Sequence, residues 1–374
     1  MKIDVYTTPS PRPSIADPEL TRPDWTRSTS RDPRLLWLDK NENTDPELAA
    51  LTARVIAEVA PAFGPKYPEF FSFYQKLADY LGIQASNLLL TAGSDGAIRS
   101  VFEAFINPGD VVIYTAPTFA MYSVYSRMFG ATTVPLEYQP SDHGPILSLD
   151  TLTSAIKSAR PKLVCLPNPD SPTGTVFAPD ELRRIIEAAG KAGSLILVDE
   201  AYYPFYDYTA LKWIDEYPHL VIARTFAKAW GLAGLRLGYA ASCPELAVLL
   251  HKVRPMYEVN TLSVAVMDRM IDHSDAMLAS VRRLNAGRDR FIDAMNELGL
   301  RTLPTNASFL HVAFGPRADA VHSALSNLVL YRKDSHDACL KGFSRFSATT
   351  LQLFQPVIES IRQVFSRSVG SSTL

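Results

Sequence analysis

The middle of the chain alternates short apolar runs with amphipathic stretches, which predicts strands and helices in turn. The apolar runs are rich in Val, Ile and Leu, as is typical of strands that are buried on both faces of a parallel sheet. They predict strands near 88–91, 111–115, 132–137, 162–166, 195–199, 220–224 and 237–241. Helical spacing between them predicts helices at 94–106, 119–128, 150–158 and 179–191. This order favours an α/β fold, in which helices cover both faces of a mostly parallel, seven-stranded sheet.

Both flanks of this region are dominated by helical spacing. Before it, Asp45 and Pro46 carry the signals of a helix start, and a second helix is predicted at about 69–82. After Pro244 the predicted elements change to long helices followed by short strands. They are helical runs at 245–272 and 275–298, strands near 309–313, 328–331 and 343–347, and a helix at 355–366. This change of pattern predicts a second, smaller α+β domain.

The patterns divide the chain into four parts. Residues 1–36 are predicted to form an extended N-terminal arm, because the many prolines between 7 and 34 exclude a regular helix or a central strand. Such an arm is either disordered or lies on another surface. Residues 37–68 are predicted to join the small domain, residues 69–254 to form the large domain, and residues 255–374 to form the C-terminal small domain.

Composition narrows the class of protein. The 374 residues are 47% hydrophobic and 20% charged, which is ordinary for a globular protein. The net charge of −2 gives no indication of nucleic-acid or membrane-surface binding. The three cysteines are far apart in the sequence, so neither a metal site nor a disulfide framework is predicted. The sequence shows no signal peptide and no membrane-spanning run, and a cytoplasmic location is the expectation.

A lysine lies in the loop between two predicted strands, in the stretch from Val221 to Tyr239. A lysine at a strand end can be partly desolvated, which lowers its pKa and makes the neutral amine available for a Schiff base. This lysine, Lys228, is flanked by Thr225 and Arg236, whose hydroxyl and guanidinium together suit a phosphate group. A lysine for an aldehyde beside phosphate ligands fits pyridoxal phosphate, although a solvated surface lysine is the commoner situation for such a loop.

Polar side chains follow two more predicted strands. Asp199 ends a strongly apolar strand, where a buried carboxylate needs a cation such as a pyridinium N–H. A helix cap or a magnesium ligand would also explain an aspartate there. Asn168 lies between prolines after another strand, and its amide is placed to contact a ring oxygen or only to stabilise a turn.

Two further strand ends carry candidate cofactor contacts. Gly93, Ser94 and Asp95 lead from a strand into a helix, and the free N–H groups of a helix start can bind phosphate. A plain turn with a helix cap is the alternative explanation. Phe119 follows the next strand and would either stack on a flat ring or belong to the core.

Together these signals resemble the class I and II aminotransferases, which have the aspartate-aminotransferase fold. The chain is most similar to histidinol-phosphate aminotransferases within that superfamily, from Leu38 to about Phe365. The strongest blocks of similarity are Asn41-Glu42-Asn43, Tyr67-Pro68, Asn168 to Gly174, Asp199 to Tyr202 and Lys228 to Arg236.

The resemblance implies a pyridoxal 5'-phosphate enzyme with a set of catalytic positions. Lys228 would be the Schiff-base lysine and the proton shuttle. Asp199 would pair with the pyridine nitrogen, while Asn168 and Tyr202 would contact the phenolic oxygen of the ring. Phe119 matches the aromatic that stacks on the ring.

It also implies phosphate and substrate ligands. The phosphate would be held by Ser94, Asp95, Thr225 and Arg236. Tyr67 matches a tyrosine that reaches the phosphate of the neighbouring subunit, which implies a homodimer. Arg345 matches the arginine that binds the substrate carboxylate, and Arg332 the arginine at the distal anionic end. Asn41 lies in a block that contributes to substrate binding.

The chain departs from the family pattern at two places. Ala227 stands where the family usually has a serine, so one hydroxyl for the phosphate is missing. The segment Thr44-Asp45-Pro46 replaces residues that help to recognise the substrate phosphate in histidinol-phosphate enzymes. If Asp45 faced the substrate, its charge would repel a phosphate. Glu103 and His311 match no functional position and are interpreted as structural.

The expected activity is therefore transfer of an amino group between an amino acid, or an amino-alcohol phosphate, and a 2-oxo acid. Glutamate and 2-oxoglutarate are the expected common pair, because two arginines can bind two carboxylates. Decarboxylation, as in threonine-phosphate decarboxylases, shares the lysine and the aspartate and stays open. A cofactor-binding regulator is a third class, but such proteins usually carry an N-terminal DNA-binding domain, and the Pro-rich arm before Leu35 is too short and too irregular for one. Histidinol phosphate is not expected to be the best donor.

Overall fold

The computed structural model describes residues 10–21, 30–59 and 67–366. Its strands are β1 (Leu36–Trp37), β2 (Leu88–Thr91), β3 (Val111–Ala116), β4 (Thr132–Glu137), β5 (Leu163–Pro167), β6 (Leu195–Asp199), β7 (Leu220–Thr225), β8 (Gly238–Ser242), β9 (Arg301–Thr302), β10 (Phe309–Ala313), β11 (Val329–Leu330) and β12 (Phe343–Ser347). Its helices are α1 (Pro13–Ala16), α2 (Pro46–Val59), α3 (Phe71–Leu81), α4 (Gly93–Phe105), α5 (Met121–Met128), α6 (Leu149–Ala159), α7 (Pro179–Ala192), α8 (Pro244–His251), α9 (Thr261–Ile271), α10 (Ser274–Glu297), α11 (Ala318–Leu325) and α12 (Leu351–Ser366).

A seven-stranded sheet forms the centre of the fold, as the alternating pattern predicts. Its strand order is β2-β8-β7-β6-β5-β3-β4. Only β8 runs against its two neighbours, so the sheet is mostly parallel. The central strands β5, β6 and β7 are almost wholly buried, because helices cover both faces of the sheet. The predicted α/β fold is confirmed.

Parallel strands bring their carboxyl ends to one edge of the sheet. β6 ends at Asp199 and β7 ends at Thr225, and the two strands are adjacent. Helix starts lie at the same edge: α4 begins at Gly93, directly after β2. The polar residues that the sequence places at separate strand ends are thereby gathered at one edge.

A smaller sheet and its helices form a second core. Its strand order is β12-β10-β9, and aromatic residues of α10 and α12 pack on it, with Phe291 against Phe346 and Phe354 against Phe291. β1 pairs in parallel with β11. This pairing places the segment that follows β1 beside β12, since the N–H of Ser347 donates to the carbonyl oxygen of Leu38.

The C-terminal half differs from the sequence prediction in detail. The helical run predicted for 245–272 is two helices, α8 and α9, separated by residues 252–260. Pro255 interrupts the helix there, and the side chain of Asn260 caps α9 by accepting from the N–H of Ser263. β1, β9, α1 and α11 were not predicted, and the four-residue helix α1 lies in the arm, where the prolines were expected to exclude a regular helix. The core around the large sheet also contains residues of α2 and α9, and the predicted domain boundaries remain predictions.

Residues 10–21 of the predicted arm contact helix α5 beside the large sheet. The hydroxyl of Ser14 donates to the carbonyl oxygen of Met128 in α5, and Asp17 lies 3.7 Å from Arg127. Residues 1–9 and 22–29 of the predicted arm lie outside the described residues. Within the described ranges, no helix combines the length and the apolar character that crossing a membrane requires.

Candidate active site

A cavity of about 570 Å³ lies at the carboxyl edge of the large sheet. It gathers most of the residues that the sequence singles out, namely Asn41, Ser94, Asp95, Phe119, Asp199, Tyr202, Thr225, Lys228, Arg236, Arg332 and Arg345. Two predicted site residues, Asn168 and Tyr67, do not line it. We call this space the main cavity. The functional roles of these residues remain predictions.

Lys228 lies in the loop after β7, and its amine faces the main cavity. Its Nζ donates to the backbone carbonyl oxygen of Lys40, at 2.8 Å. Burial lowers the pKa of the Lys228 amine to about 8, and the nearby guanidinium of Arg345 acts in the same direction. Much of the amine is therefore neutral near pH 8, which is the form that can attack an aldehyde or accept a proton.

Asp199 presents a buried carboxyl group to the cavity from the end of β6. Its two oxygens accept hydrogen bonds from the Tyr122 hydroxyl and the Ala201 N–H, both at 2.9 Å. Burial raises the pKa of Asp199 to about 6, although these two hydrogen bonds favour the charged form. A carboxylate held this way is poised to meet a cationic N–H. Sequence reasoning assigned no role to Tyr122, which lies in α5 and orients this carboxyl group.

The neighbouring carboxylate, Glu200, is arranged differently. It forms a salt bridge with the buried guanidinium of Arg224, at 2.8 Å. Thr209 and the N–H of Ala210 also donate to Glu200, each at 2.7 Å. Glu200 is thus fully paired and does not line the main cavity. Because Arg224 precedes Thr225, this ion pair ties together the strand ends that carry Asp199 and Thr225.

The corner around the start of α4 is suited to an anion. Gly93 has a positive φ of 76°, and a side chain there would collide with the guanidinium of Arg236. Gly238 lies so close to the backbone of Gly93 and Ser94 that any larger residue would clash. These glycines let Arg236 and the backbone of β8 approach the start of α4, and Ser94, Thr225 and Arg236 all line the main cavity. The Thr225 hydroxyl already accepts from the N–H of Ala227, at 3.1 Å.

Asn168 is turned away from the main cavity. Its amide oxygen accepts from the N–H of Phe177 at 2.8 Å, and its amide nitrogen lies 3.3 Å from the carbonyl oxygen of the same residue. Ser171 lines the cavity instead and interacts with the Tyr202 hydroxyl. That hydroxyl also accepts a hydrogen bond from the amide of Asn41, at 2.7 Å. The placement favours Ser171 and Asn41, rather than Asn168, as partners of Tyr202.

Arg332 and Arg345 meet at one backbone oxygen. Nε of Arg332 and NH2 of Arg345 donate to the carbonyl oxygen of Asp39, at 3.2 and 3.3 Å. The two residues are cross-strand partners, because the backbone groups of positions 332 and 345 exchange hydrogen bonds. Two guanidiniums that converge on one neutral acceptor offer strong binding to a carboxylate or a phosphate.

The segment 38–43 closes one side of the main cavity. Its outer face is held by Arg31, which lies 2.6 Å from Glu42 and 3.1 Å from Asp39. Sequence reasoning missed this segment's use of backbone carbonyl groups as partners for the lysine and the arginines. Backbone acceptors carry no residue signature, so only the fold identifies them.

The three residues after this segment do not line the main cavity. Asp45 is buried and pairs with Arg283, whose NH2 lies 2.5 Å from it, and its Oδ1 accepts from the N–H of Glu47 in the first turn of α2. Asp45 therefore faces away from the cavity of its own subunit. The repulsion considered for an inward-facing Asp45 does not apply there.

Tyr67 lies on the surface beside the loop between α8 and α9. Its ring is 69% exposed and stacks on Tyr257, with 4.0 Å between the ring centroids. Phe71 and Met256 are exposed to a similar extent. A tyrosine in this position cannot serve the cavity of its own chain.

The residues present fit pyridoxal phosphate. Asp199 is a buried carboxyl group that accepts only from neutral donors, as a ring N–H requires. Ser94 and Asp95 at the start of α4 line this cavity together with Arg236, and they form a corner that suits an anion. Lys228 supplies an amine of lowered pKa in the same cavity. Among the described residues, no cluster of His, Cys, Asp or Glu could hold a metal ion.

Comparison with known proteins agrees with this fit. Residues 33–361 match the family described as "Aminotransferase class I and II". A histidinol-phosphate aminotransferase of a Thermoanaerobacter species is 32% identical over 291 residues, which are 78% of this chain and 81% of that protein. One from Nitrosococcus oceani is 32% identical over 311 residues, which are 79% and 82% of the two chains.

Solved structures agree in fold. Histidinol-phosphate aminotransferase from Sinorhizobium meliloti, in complex with pyridoxal-5'-phosphate, superposes with a TM-score of 0.77 at 24% identity, over 90% of this chain and 91% of that chain. Aspartate aminotransferase from Thermus thermophilus, a tetra mutant, gives a TM-score of 0.72 at 19% identity, over 90% and 99% of the chains. The chain therefore belongs to the class I and II aminotransferases, and it is a pyridoxal-phosphate-dependent aminotransferase.

Proposed function

We propose that this aminotransferase moves an amino group from an amino acid, or an amino-alcohol phosphate, to a 2-oxo acid such as 2-oxoglutarate. One observation carries the proposal. The amine of Lys228, with a pKa lowered to about 8, shares its cavity with the carboxyl group of Asp199 and with two converging arginines. A base, a partner for a ring nitrogen and a carboxylate-binding pair are the groups that amino transfer needs.

Each group then has a defined task. Pyridoxal phosphate, when bound, supplies the aldehyde that takes up the amino group and a ring that withdraws electrons. Asp199 keeps the ring nitrogen protonated, and Tyr122 orients Asp199. Lys228 removes a proton from the substrate's Cα and returns it at the acceptor carbon. Arg345 holds the substrate carboxylate and so fixes the orientation of the Cα–H bond.

The identity of the amino donor is considered separately from the type of reaction. The relatives described above are named histidinol-phosphate aminotransferases, which makes histidinol phosphate the first donor to test. Asp45 pairs with Arg283 and does not repel a phosphate in its own subunit. Only the missing phosphate contact remains as a reason for weaker recognition. The distal guanidinium of Arg332 supports an anionic end group on at least one of the two substrates.

A panel assay tests the activity. Purified protein is incubated with 2-oxoglutarate and with single amino donors, including histidinol phosphate, and both glutamate formation and CO2 release are followed. We expect glutamate with at least one donor and no CO2. Stoichiometric CO2 without an oxo product would instead support the decarboxylase alternative, which the aminotransferase names of the relatives do not favour.

We further propose a homodimer in which Tyr67 completes the cavity of the partner subunit, within the cytoplasm. The stacked, exposed pair of Tyr67 and Tyr257 supports it, because large exposed aromatic rings favour burial against another chain. Mixing Tyr67→Phe subunits with Lys228→Ala subunits tests it. In each hybrid dimer one cavity carries both defects and the other carries neither. Activity above that of both parents supports sharing, and no gain despite confirmed hybrids argues against it.

A further inference from the structure

Segment 38–43 brings two consecutive backbone carbonyl groups to the cations of the main cavity. The carbonyl oxygen of Lys40 accepts from Nζ of Lys228, at 2.8 Å. The carbonyl oxygen of Asp39 accepts from the two converging arginines of the cavity, at 3.2 and 3.3 Å. The orientation of these three cationic side chains therefore depends on the path of the segment.

The segment makes its turn in an uncommon backbone conformation. Asn41 has a φ of 56°, in the left-handed region, which costs free energy for a residue other than glycine. On the inner side, the N–H of Asn41 donates to the hydroxyl of Ser347, at 2.8 Å, and the N–H of Ser347 donates to the carbonyl oxygen of Leu38. Such a turn persists only where the surrounding contacts hold it.

The guanidinium of Arg31 bridges the two acidic side chains of the segment. Its NH1 donates to Asp39 at 3.1 Å and to Glu42 at 2.6 Å, and its NH2 donates to the other carboxylate oxygen of Glu42 at 3.0 Å. Because these two acidic residues flank the turn at 40 and 41, one guanidinium spans it. The same group stacks on Trp37, with 3.9 Å between Cζ and the ring centroid. A planar guanidinium suits such a bridge, whereas an ammonium has no fixed fork of donors.

The charge of Glu42 also acts on the amine of Lys228. The hydrogen bonds from Arg31 lower the pKa of Glu42 despite its partial burial, so Glu42 is charged at neutral pH. Burial lowers the pKa of the Lys228 amine to about 8, and the Tyr202 ring lies 5.9 Å from its Nζ. Two cations act in the same direction as burial and two carboxylates oppose it, namely Arg345 and Arg236, and Glu42 and Asp199. The guanidinium of Arg31 offsets the charge of Glu42 and so limits its effect on the amine.

We propose that Arg31 is a positioning residue of this enzyme, which holds segment 38–43 so that its carbonyl oxygens meet Lys228 and the converging arginines, and which offsets the charge of Glu42. Arg31 does not line the main cavity, so it acts through the segment and not on a substrate. Part of the predicted N-terminal arm thereby belongs to the architecture of the active site. This inference rests on the proposed role of Lys228.

Two arginines of the arm provide a matched comparison. Arg31→Gln removes the bridge and one positive charge. Arg34→Gln removes one positive charge from an ion pair with Asp32, at a side chain that is 87% exposed. The visible absorption of the holoenzyme is titrated with pH in the absence of any donor, and it reports the protonation of the Lys228 nitrogen that is linked to the cofactor.

We expect the midpoint of this titration to rise by about 0.5 pH units in Arg31→Gln, because the charge of Glu42, no longer offset, favours the protonated nitrogen. The midpoint of Arg34→Gln should match that of the parent protein, since an exposed charge is screened by solvent. Equal midpoints in the two variants would overturn the proposal. A raised midpoint in protein that transaminates no donor would leave the role of Arg31 standing while the proposed function fails.

A double substitution separates position from charge. Combining Arg31→Gln with Glu42→Gln removes both charges, so the midpoint should return to the value of the parent protein while the segment still lacks its bridge. We expect KM for 2-oxoglutarate to be about tenfold higher in Arg31→Gln and in the double variant, because the converging arginines lose their fixed acceptor. Arg31→Lys should keep the midpoint and show an intermediate KM. Circular dichroism checks that each variant is folded, and a parental KM in folded Arg31→Gln would show that the bridge does not position the site.

Discussion

Two groups of residues in the main cavity differ in how their polar atoms are paired. In the first group, Asp199 and Lys228, which we call the cofactor end, each side chain has a short hydrogen bond to a neutral partner in α5 or in segment 38–43. At the arginine end, Arg332 and Arg345 share one carbonyl oxygen at 3.2 and 3.3 Å. We propose that the first end holds a group that stays bound and that the second holds anions that come and go.

The same contrast appears between two adjacent residues. Asp199 and Glu200 follow each other at the end of β6, and both are buried. Glu200 has a guanidinium and two further hydrogen-bond donors around it, whereas Asp199 has only neutral donors among the residues that the structure describes. Burying a carboxyl group without a cation costs free energy. The cofactor end accepts this cost at Asp199, which lines the main cavity, and avoids it at Glu200, which does not.

Removing the amine of the cofactor end should have the largest effect. We expect Lys228→Ala to lower amino-transfer turnover by at least roughly four orders of magnitude, because the proton shuttle is lost. The visible absorption of the lysine-bound cofactor should disappear as well. Stopped assays measure turnover, absorption spectra report the lysine-bound cofactor, and circular dichroism checks that the variant is folded. A folded variant with unchanged turnover and spectrum would contradict the role of Lys228.

Exchanging the two adjacent carboxyl groups for amides should separate chemistry from stability. We expect Asp199→Asn to fold but to lose roughly two to four orders of magnitude in turnover, since a neutral amide does not keep the ring nitrogen protonated. Glu200→Gln leaves Arg224 buried without its carboxylate, and should lower the free energy of unfolding by about 3–5 kcal/mol. Denaturant titrations and kinetics of both variants provide the comparison. If the two variants had the same free energy of unfolding, the proposed difference between the ion-paired Glu200 and the neutrally hydrogen-bonded Asp199 would be wrong.

The pH dependence of the free energy of unfolding gives a second test of the buried carboxyl group of Asp199. Because the folded pKa of Asp199 is raised to about 6 from 3.8, the folded protein binds more protons than the unfolded chain between these values. This carboxyl group therefore lowers stability as pH rises from 3.8 to 6. We expect the stability of apo Asp199→Asn, relative to the parent protein, to increase across that window and to level off above it. Chemical unfolding of both proteins at several pH values measures the difference, and a flat difference would contradict the raised pKa.

At the arginine end, a single substitution should act on binding. We expect Arg345→Gln to raise KM for amino acids by roughly 10- to 100-fold, the usual cost of losing a charge-assisted hydrogen-bond pair. The turnover of saturated enzyme should change less, since Lys228 and Asp199 are untouched. Steady-state kinetics with the best donor of the panel measure both constants. A fall in kcat with an unchanged KM would assign Arg345 to the chemistry instead.

The smallest effect is expected at the phosphate corner. Ala227→Ser adds a hydroxyl next to Thr225, where the family usually has a serine, and one further hydrogen bond should slow cofactor dissociation by roughly fivefold. Ala227→Gly adds no hydroxyl and is the matched control. Dilution with a cofactor trap gives the dissociation rate. Equal rates for the serine and glycine variants would show that the missing hydroxyl is unimportant.

Local patterns predicted the large sheet well because its strands are easy to recognise in the sequence. Each is a buried apolar run, and parallel strands place their carboxyl ends at one edge whatever the loops contain. The positions of Asp199 and Thr225 at that edge therefore followed from the sequence. The helical run at 245–272 was predicted less well, because helical periodicity continues on both sides of the break at 252–260.

The sequence by itself thus determined the α/β architecture and the set of polar residues at the strand ends, since both depend on short-range periodicity. Only the tertiary structure decided which of those residues share a cavity. It turned Asn168 toward Phe177, brought Ser171 to Tyr202, and used the carbonyl oxygen of Asp39 for two arginines. It also placed His311 beside Arg345. These contacts join residues that are far apart in the chain and depend on strand register and backbone groups, which no local pattern records.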